Sequence, residues 1–219
     1  MDPHRLLSNW LRSVFPEAPR LVANRTVPAF LLPDHRGWLV SSEELRTQGP
    51  YALTFFHGSW CPSCIKSLRL FESEFDRIHE LGADIVACSP ETFGFPRKLK
   101  AESGFRFLVL SDVDCALSID LGVAFAVPEE IRPPLMEIGV NLEERHGDPR
   151  WLLPIPLTMV VDRKGEVVKA FVDIGHEAGI DGIAAALSGL AISVASFRVM
   201  RTAQKGPTKQ NAPAQAHGA

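Results

Sequence analysis

The sequence predicts an α/β fold in which a central mixed β-sheet is flanked by helices. Two observations predict it. From residue 27 onward, short apolar segments typical of buried strands alternate with amphipathic helical segments. Near the carboxyl end, two strand-like segments are separated by a short turn, which adds an antiparallel hairpin to a sheet otherwise joined by crossovers. These patterns together indicate layers of helix packed on one sheet.

The first elements follow from local patterns. Residues 3–15 carry apolar side chains at helical spacing, and Pro3 suits the first turn, so a short amphipathic helix packed on the domain is predicted. Residues 28–32 are apolar and end at the turn signal Pro-Asp-His-Arg-Gly. Residues 51–56, Tyr-Ala-Leu-Thr-Phe-Phe, are apolar throughout, which is typical of a strand covered on both faces.

The middle of the chain alternates in the same way. Residues 62–80 present one apolar helical face, with a proline at the first position. The remaining predicted elements are a strand at 85–88, a polar helix at 91–103 ended by Gly104, a strand at 107–110, and a short helix at 116–121 closed by Gly122.

Residues 127–156 interrupt this rhythm, since they hold six of the 17 prolines and show little periodicity. We interpret them as an inserted excursion that forms a lid or wall, with Trp151 as a plug in the core. Residues 158–161 and 167–172 then form a hairpin, and apolar spacing over 180–190 predicts a final helix. The prediction is therefore an N-terminal helical extension (1–25), one domain (26–195) and a disordered basic tail (196–219).

Composition narrows the class of protein. The chain has 219 residues, 23 basic against 26 acidic side chains and a net charge of −3, so it has no basic footprint for nucleic acid. No apolar run is long enough to span a membrane, and the N-terminus lacks a secretory pattern. Four cysteines are too few for a disulfide-stapled fold of this size. We expect a cytoplasmic protein with neither nucleic-acid nor membrane partners.

The segment that carries chemistry is His57-Gly-Ser-Trp60-Cys61-Pro-Ser-Cys64. It lies between a predicted buried strand and an amphipathic helix, which puts Cys61 at the helix N-cap and Cys64 in the first turn. Unpaired N–H groups and the positive end of the helix dipole stabilise a thiolate there, and the spacing brings the sulfur atoms within disulfide reach. A redox-active dithiol is the favoured interpretation. A zinc site and two inert buried cysteines remain open, although no second closely spaced Cys or His pair completes four zinc ligands.

Several segments resemble the peroxiredoxin-like branch of the alkyl hydroperoxide reductase/thiol-specific antioxidant family, in the thioredoxin-fold superfamily. The resemblance covers about residues 28–190. It rests on the opening segment FLLPDHRGWLVSSEEL, on VACSPE, on FLVLSDVDCALSIDLGV and on the proline-led hairpin LPIPLTMVVDRKGEVV. It implies a thioredoxin-like fold, and the excursion at 127–156 resembles an insertion of that branch.

The family pattern Pro-x-x-x-Thr-x-x-Cys places Cys64 at the peroxidatic position, Cys61 at the threonine and His57 at the proline. The segment Trp60-Cys-Pro-Ser-Cys equally matches thioredoxin-like disulfide reductases, in which the first cysteine attacks. We lean to Cys64 for attack on peroxide and to Cys61 for attack by the reductant. The arginine that the family carries before the strand at Thr158 is replaced here by Pro-Ile-Pro.

Three residues are assigned to a substrate groove beside the cysteines. Pro156 matches the cis proline that faces the Cys-x-x-Cys pair in thioredoxin-like proteins, so a cis peptide bond is expected there. Trp60 is expected to pack beside the pair, and His57 to be a structural hydrogen-bonder or a proton carrier. Cys88 is interpreted as a small core residue in a buried strand. Cys115 is placed at a helix start, where a role as a resolving thiol is the less favoured interpretation.

The resemblance implies a thiol-dependent peroxidase that reduces hydrogen peroxide or organic hydroperoxides. A disulfide between Cys61 and Cys64 would be reduced by an external dithiol such as thioredoxin. The resemblance implies neither cofactor nor metal, and the dimers common in the family imply a homodimer. The alternatives are a thioredoxin-like dithiol–disulfide oxidoreductase and a non-enzymatic redox sensor.

Overall fold

The computed structural model describes residues 2–16, 22–92, 94–172 and 180–191. Its helices, numbered here in chain order, are α1 Pro3–Val14, α2 Ser42–Gln48, α3 Pro62–Ser73, α4 Phe75–Glu80, α5 Phe95–Ser103, α6 Ala116–Asp120, α7 Arg132–Glu137, α8 Leu142–His146 and α9 Ile180–Ala191. The strands are β1 Leu31–Pro33, β2 Leu39–Ser41, β3 Tyr51–Phe55, β4 Asp84–Ser89, β5 Leu108–Ser111, β6 Ala124–Ala126, β7 Leu152–Pro154, β8 Leu157–Val161 and β9 Val167–Val172. The predicted tail lies outside the described residues.

The central sheet has five strands in the order β5-β4-β3-β8-β9. Strands β3, β4 and β5 are parallel, while β8 and β9 form the predicted hairpin and run antiparallel to β3. Because Phe55 pairs with Leu157, the carboxyl end of β3 meets the amino end of β8 at one edge of the sheet. The predicted mixed sheet flanked by helices is confirmed.

Strand β3 is buried along its whole length, as its continuous apolar sequence predicts. Alternate side chains enter two separate core clusters, one on each face of the sheet. Leu53 and Phe55 pack in the cluster that also holds Leu7 of α1 and Trp151 of the excursion. The other face packs against α3 and α9, so each face has its own helical layer.

Helix α1 forms where the sequence predicts it. The Asp2 side chain caps it by accepting a hydrogen bond from the His4 N–H at 3.0 Å, and Pro3 occupies the first turn. Leu7 and Leu11 are each 1% exposed, so the helix buries one stripe against the domain.

Two helices differ from their predicted bounds. The predicted helix 62–80 breaks at Glu74, whose ψ of 3° lies outside the helical range and separates α3 from α4. The predicted helix 91–103 begins only at Phe95, because Gly94 takes a φ of 98° just before it. Glu91 therefore lies outside the helix and is fully buried.

The excursion is a packed wall. It contains a 3₁₀ turn at Glu129–Ile131, helices α7 and α8, and strand β7, which pairs antiparallel with β6. Leu135, Leu142 and Trp151 are buried in the same cluster as α1. The predicted role of Trp151 as a core plug is confirmed, and its indole N–H donates to the Glu143 carboxylate at 3.1 Å.

The prediction of a cis peptide bond before Pro156 is wrong, because the described residues contain no cis peptide bond. The Ile155 N–H donates to the Val123 carbonyl at 2.7 Å, which carries the β6–β7 pairing up to Pro156. The trans bond occurs together with that pairing, and trans is the intrinsically favoured X–Pro isomer. Within the described ranges, none of the helices has both the length and the apolar character that a bilayer crossing requires.

Candidate active site

The site is built on the turn between β3 and α3. Strand β3 ends at Phe55, and the Phe56 N–H still donates to the Cys88 carbonyl of the neighbouring strand at 3.0 Å. The chain then reverses through residues 57–60, and the Cys61 N–H donates to the Gly58 carbonyl at 3.2 Å. This turn delivers Cys61 to the start of α3, at the carboxyl edge of the parallel strands.

Gly58 is required by the turn for two independent reasons. Its φ is +147°, a conformation that side chains rarely adopt. A Cβ atom at this position would also lie 2.7 Å from the Trp60 indole nitrogen and 2.8 Å from the Glu91 carboxyl carbon. The glycine therefore lets Trp60 and Glu91 approach the backbone closely.

Cys61 is the N-cap of α3, and Cys64 lies in its first turn, as the sequence predicts. The Cys61 sulfur accepts a hydrogen bond from the Cys64 backbone N–H at 3.3 Å and lies 3.1 Å from Ser63 Oγ. It thus satisfies helix-terminal donors that would otherwise have no partner. Both thiols are reduced and buried, with Cys61 2% and Cys64 5% exposed.

These contacts favour a thiolate at Cys61. The Cys64 thiol, which hydrogen-bonds the Cys61 sulfur, is the largest cause that holds the pKa of Cys61 well below its ordinary value. Burial acts in the opposite direction, while the His57 imidazole and the Ser63 hydroxyl lower the pKa further. A ring nitrogen of His57 and the two sulfur atoms all lie within 4.8 Å of one another. The structure therefore brings three of the predicted site residues together.

Trp60 packs beside the pair, as predicted. Its ring lies between two imidazoles, stacked on His57 and on His4 of α1 with centroid separations of 5.8 Å each. A cleft of 560 Å³ opens beside this stack, between α1 and the exposed Pro62 and half-buried Ser63. Helix α1 is therefore a wall of the approach to the dithiol.

Pro156 lies at the same edge of the sheet. It is buried and directly precedes Leu157, the partner of Phe55, so it stands one position beyond the last pair of the β3–β8 ladder. Its assignment to a substrate groove stays a prediction.

An ion pair between a buried carboxylate and a partly buried arginine, which sequence reasoning missed, supports the turn. The Glu91 carboxylate, 0% exposed, accepts hydrogen bonds from the Ser59 N–H at 2.6 Å and the Ser59 hydroxyl at 2.9 Å. Arg145 of α8 donates to the same carboxylate at 2.6 Å and stacks over Phe95. Burial raises the pKa of Glu91, and the hydrogen bonds from Ser59 and Arg145 oppose that rise. One signal was available, since Glu91 lies two residues beyond the end of the buried strand β4.

The other two cysteines lie apart from this chemistry. Cys88 in β4 is fully buried, and burial raises its pKa well above the ordinary value. Cys115 is 1% exposed, and burial likewise raises its pKa. Both are protonated core residues at neutral pH, as the sequence interpretation held for Cys88.

A second cleft lies at the carboxyl edge of β4 and β5. Its volume is 660 Å³, and its lining includes His35, Arg36, Thr92, Arg97 and His146 but neither Cys61 nor Cys64. Burial lowers the pKa of His146 to about 4, so this imidazole is neutral at physiological pH.

A mixed sheet with a Cys-x-x-Cys pair at the end of its central strand defines a thiol protein of the thioredoxin fold. The AhpC/TSA family model matches residues 23–170, and the chain belongs to that family. No curated protein matches it. The predicted family and fold are thus confirmed, and with them the class of protein, the thiol-dependent peroxidases, which are oxidoreductases.

Solved structures share the fold at low identity. Peroxidoxin BcpB from Mycobacterium tuberculosis is 22% identical, with a TM-score of 0.63 over 77% of this chain and 97% of that one. The bacterioferritin comigratory protein of Xanthomonas campestris, studied for alkyl peroxide reduction, is 19% identical, with a TM-score of 0.59 over 74% and 92% of the two chains. AhpC from Enterococcus faecalis is 13% identical, with a TM-score of 0.59 over 85% and 99%.

Proposed function

We propose that this chain reduces hydrogen peroxide or organic hydroperoxides through a redox cycle of Cys61 and Cys64. The observation that carries the proposal is the Cys61 sulfur at the N-cap of α3, with its pKa lowered and the second thiol in hydrogen-bond contact. A thiolate is the nucleophile in such chemistry, and a helix N-terminus is where proteins stabilise one. Membership of the AhpC/TSA family supports peroxide as the substrate.

Cys61 is the attacking thiol in this proposal, in contrast to the lean toward Cys64 that the family alignment gave. The support is the set of donors around the Cys61 sulfur: the Cys64 N–H, the Cys64 thiol and the Ser63 hydroxyl. The Cys61 thiolate attacks one peroxide oxygen, the O–O bond breaks, and the leaving oxygen takes a proton to form an alcohol or water. Cys61 becomes a sulfenic acid.

Cys64 resolves that intermediate. Its thiol attacks the sulfenic sulfur, a disulfide forms between Cys61 and Cys64, and water leaves. The two residues are three apart on one helical turn, and their sulfurs lie within 4.8 Å of each other, so the bond needs little motion of the chain. The two steps together consume one peroxide and oxidise one dithiol.

An external dithiol of the thioredoxin type then reduces the disulfide by exchange. The cleft between α1 and the turn of Pro62 and Ser63 offers it a route, because these two lining residues lie between Cys61 and Cys64 in the chain. Arg5 and Lys66 line the cleft together with Asp2, so an acidic contact surface on the reductant fits it. The predicted homodimer and the cytoplasmic location are not needed for this cycle and stay predictions.

Dithiol–disulfide exchange on protein substrates is the second candidate. Two observations favour it: the Trp60-Cys61-Pro-Ser-Cys64 pattern, and Pro-Ile-Pro instead of an arginine before Thr158. Without that arginine, the leaving oxygen depends on Ser63, His57 and backbone N–H groups for stabilisation. The two candidates share a thiolate at Cys61 and differ in the oxidant.

Turnover with peroxide, thioredoxin and thioredoxin reductase separates them. Wild type is compared with the single variants Cys61→Ser and Cys64→Ser. The double variant Cys88→Ala/Cys115→Ala serves as the matched control. We expect peroxide consumption in wild type and control, none with Cys61→Ser, and a dimedone-trapped sulfenic acid on Cys61 in Cys64→Ser. A sulfenic acid on Cys64 in Cys61→Ser would reverse the assignment. Reduction of a protein disulfide without peroxide consumption would establish the second candidate.

A further inference from the structure

The turn at the dithiol brings together three side chains that are metal ligands by chemical type. These are His57, Cys61 and Cys64, and one candidate ligand atom of each lies within 4.8 Å of the other two. All three are buried, and His57 is only 4% exposed. Within the described residues, they form the one group of three or more His, Cys, Asp or Glu side chains with this spacing.

The spacing fits a tetrahedral zinc ion. Zinc–sulfur bonds of about 2.3 Å and zinc–nitrogen bonds of about 2.0–2.1 Å place two ligand atoms roughly 3.5 Å apart. The three donors lie within 4.8 Å of one another, so a shift of about 1 Å brings them to that separation. The turn and the first helical turn hold the backbone of all three residues in place.

His57 also has unused bonding capacity. Its Nε2 is buried and has no hydrogen-bond partner in the part of the chain that the structure describes. A buried ring nitrogen without a partner is unusual and calls for a water, an ion or a reacting group. Sequence spacing argued against zinc because no second Cys or His pair was present; the fold supplies the third ligand four residues before Cys61.

We propose that the reduced protein binds one Zn²⁺ ion through Cys61, Cys64 and a ring nitrogen of His57. Three protein ligands leave the fourth position for water, the arrangement of zinc sites that exchange ligands. Two sulfur donors select zinc over magnesium or calcium, which require oxygen. Binding displaces the thiol protons and shields the pair from other thiol reagents.

Oxidation releases the ion, and this part of the inference rests on the proposed function where the oxidant is peroxide. The two zinc-bound thiolates give two electrons to one hydroperoxide, whose O–O bond breaks. Two protons are taken up, and the products are the Cys61–Cys64 disulfide, Zn²⁺, an alcohol and water. A disulfide sulfur is not a zinc ligand, so the site exists only in the reduced state.

The test titrates reduced, full-length protein with Zn²⁺ against a chromogenic chelator and repeats the titration with Co²⁺, whose thiolate charge-transfer absorption reports sulfur ligation. We expect one ion per chain in wild type and in the Cys88→Ala/Cys115→Ala control. We expect none in Cys61→Ser, Cys64→Ser or diamide-oxidised wild type. His57→Phe should bind at least about tenfold more weakly. Zinc binding that survives in the oxidised protein or in either serine variant would overturn the proposal, as would unchanged affinity in His57→Phe.

A release experiment distinguishes failure of the site from failure of the proposed function. Zinc-loaded protein is treated separately with diamide and with hydrogen peroxide, and the released zinc is measured by the absorbance of the chromogenic chelator. Release by both oxidants supports the site and the peroxide cycle together. Release by diamide alone keeps the zinc site and contradicts peroxide as its oxidant, whereas retention after full diamide oxidation overturns the site.

Discussion

Cys61 and Cys88 both lie near the carboxyl edge of the parallel strands, yet the pKa values of their thiols are shifted in opposite directions. Cys88 pairs with Phe55 inside the sheet, where only burial and nearby acidic groups act on it, and its pKa is raised. Cys61 lies six residues beyond that pair, past a turn, at a helix terminus with donors on several sides. The difference in reactivity arises from where the strand ends and the helix begins.

The first prediction at this scale concerns alkylation of Cys61. Because the Cys64 thiol is the largest cause that lowers the Cys61 pKa, wild type should react with iodoacetamide at half its maximal rate well below pH 8.5, the value for an ordinary thiol. Cys64→Ala should move that midpoint upward. Peptide mass spectrometry over a pH series measures it, with Cys88 and Cys115 unreactive in the native protein. A midpoint at or above 8.5 in wild type would contradict the thiolate assignment.

The second prediction concerns His146. Its folded pKa of about 4 lies below the unfolded value of about 6.5, so the unfolded chain binds a proton first as the pH falls. The contribution of His146 to the free energy of unfolding is therefore fully present above about pH 6.5. It falls by about 3 kcal/mol in total as the pH drops from 6.5 to 4. Urea unfolding at pH 7 and pH 4 should show this loss in wild type and not in His146→Gln. An equal pH dependence in both proteins would show that His146 is not the responsible group.

At the scale of elements, the ion pair of Glu91 and Arg145 ties the active-site turn to the inserted wall. Glu91 follows β4, Arg145 belongs to α8, and Ser59 lies in the turn, so one buried carboxylate holds three segments that are distant in the chain. Two hydrogen bonds to Ser59 fix the backbone just before Trp60 and Cys61. The pair is a positioning device, since no contact to either sulfur is needed for this effect.

Removing one partner should cost more than removing both. Arg145→Met leaves a fully buried carboxylate with only Ser59 as its partner, so we expect a loss of about 3 kcal/mol in unfolding free energy. Arg145→Met combined with Glu91→Gln should lose less, because no charge is then left unpaired. Urea denaturation of both single variants and the double variant gives the coupling energy, and iodoacetamide rates report whether the turn has moved. Strictly additive losses would contradict the pairing.

The sequence predicted most elements, and its errors lie where contacts between residues distant in the chain decide the structure. The strand and helix around Cys61 followed from an apolar run and a proline, which are short-range signals. The bounds of α5 were wrong because Gly94 breaks the helix after Glu91 has turned inward to a partner 54 residues away. Pro156 was expected to be cis by analogy, but its peptide bond is trans, and the preceding Ile155 pairs with Val123, a contact that no local pattern shows.

At the scale of the whole molecule, the sheet order decides where chemistry occurs. Parallel strands β3, β4 and β5 end at one edge, so the dithiol turn, Glu91 and the 660 Å³ cleft all lie there. The sequence predicted this sheet and the cysteine pair from alternation and spacing. It also predicted a helix packed on the domain and a lid or wall from residues 127–156. It did not predict that α1 and this excursion pack against each other, because those contacts join residues remote in sequence.

The central claim is that Cys61 and Cys64 are a peroxide-reducing pair, and a single-turnover reaction tests it most directly. Fully reduced, zinc-free protein is mixed with one equivalent of hydrogen peroxide, Trp fluorescence is followed in stopped flow, and the product is mapped by peptide mass. Trp60 packs beside the pair and should report its oxidation. We expect oxidation far faster than that of an ordinary thiol, ending in a Cys61–Cys64 disulfide. Oxidation at the rate of an ordinary thiol, or a product without that disulfide, would contradict the account.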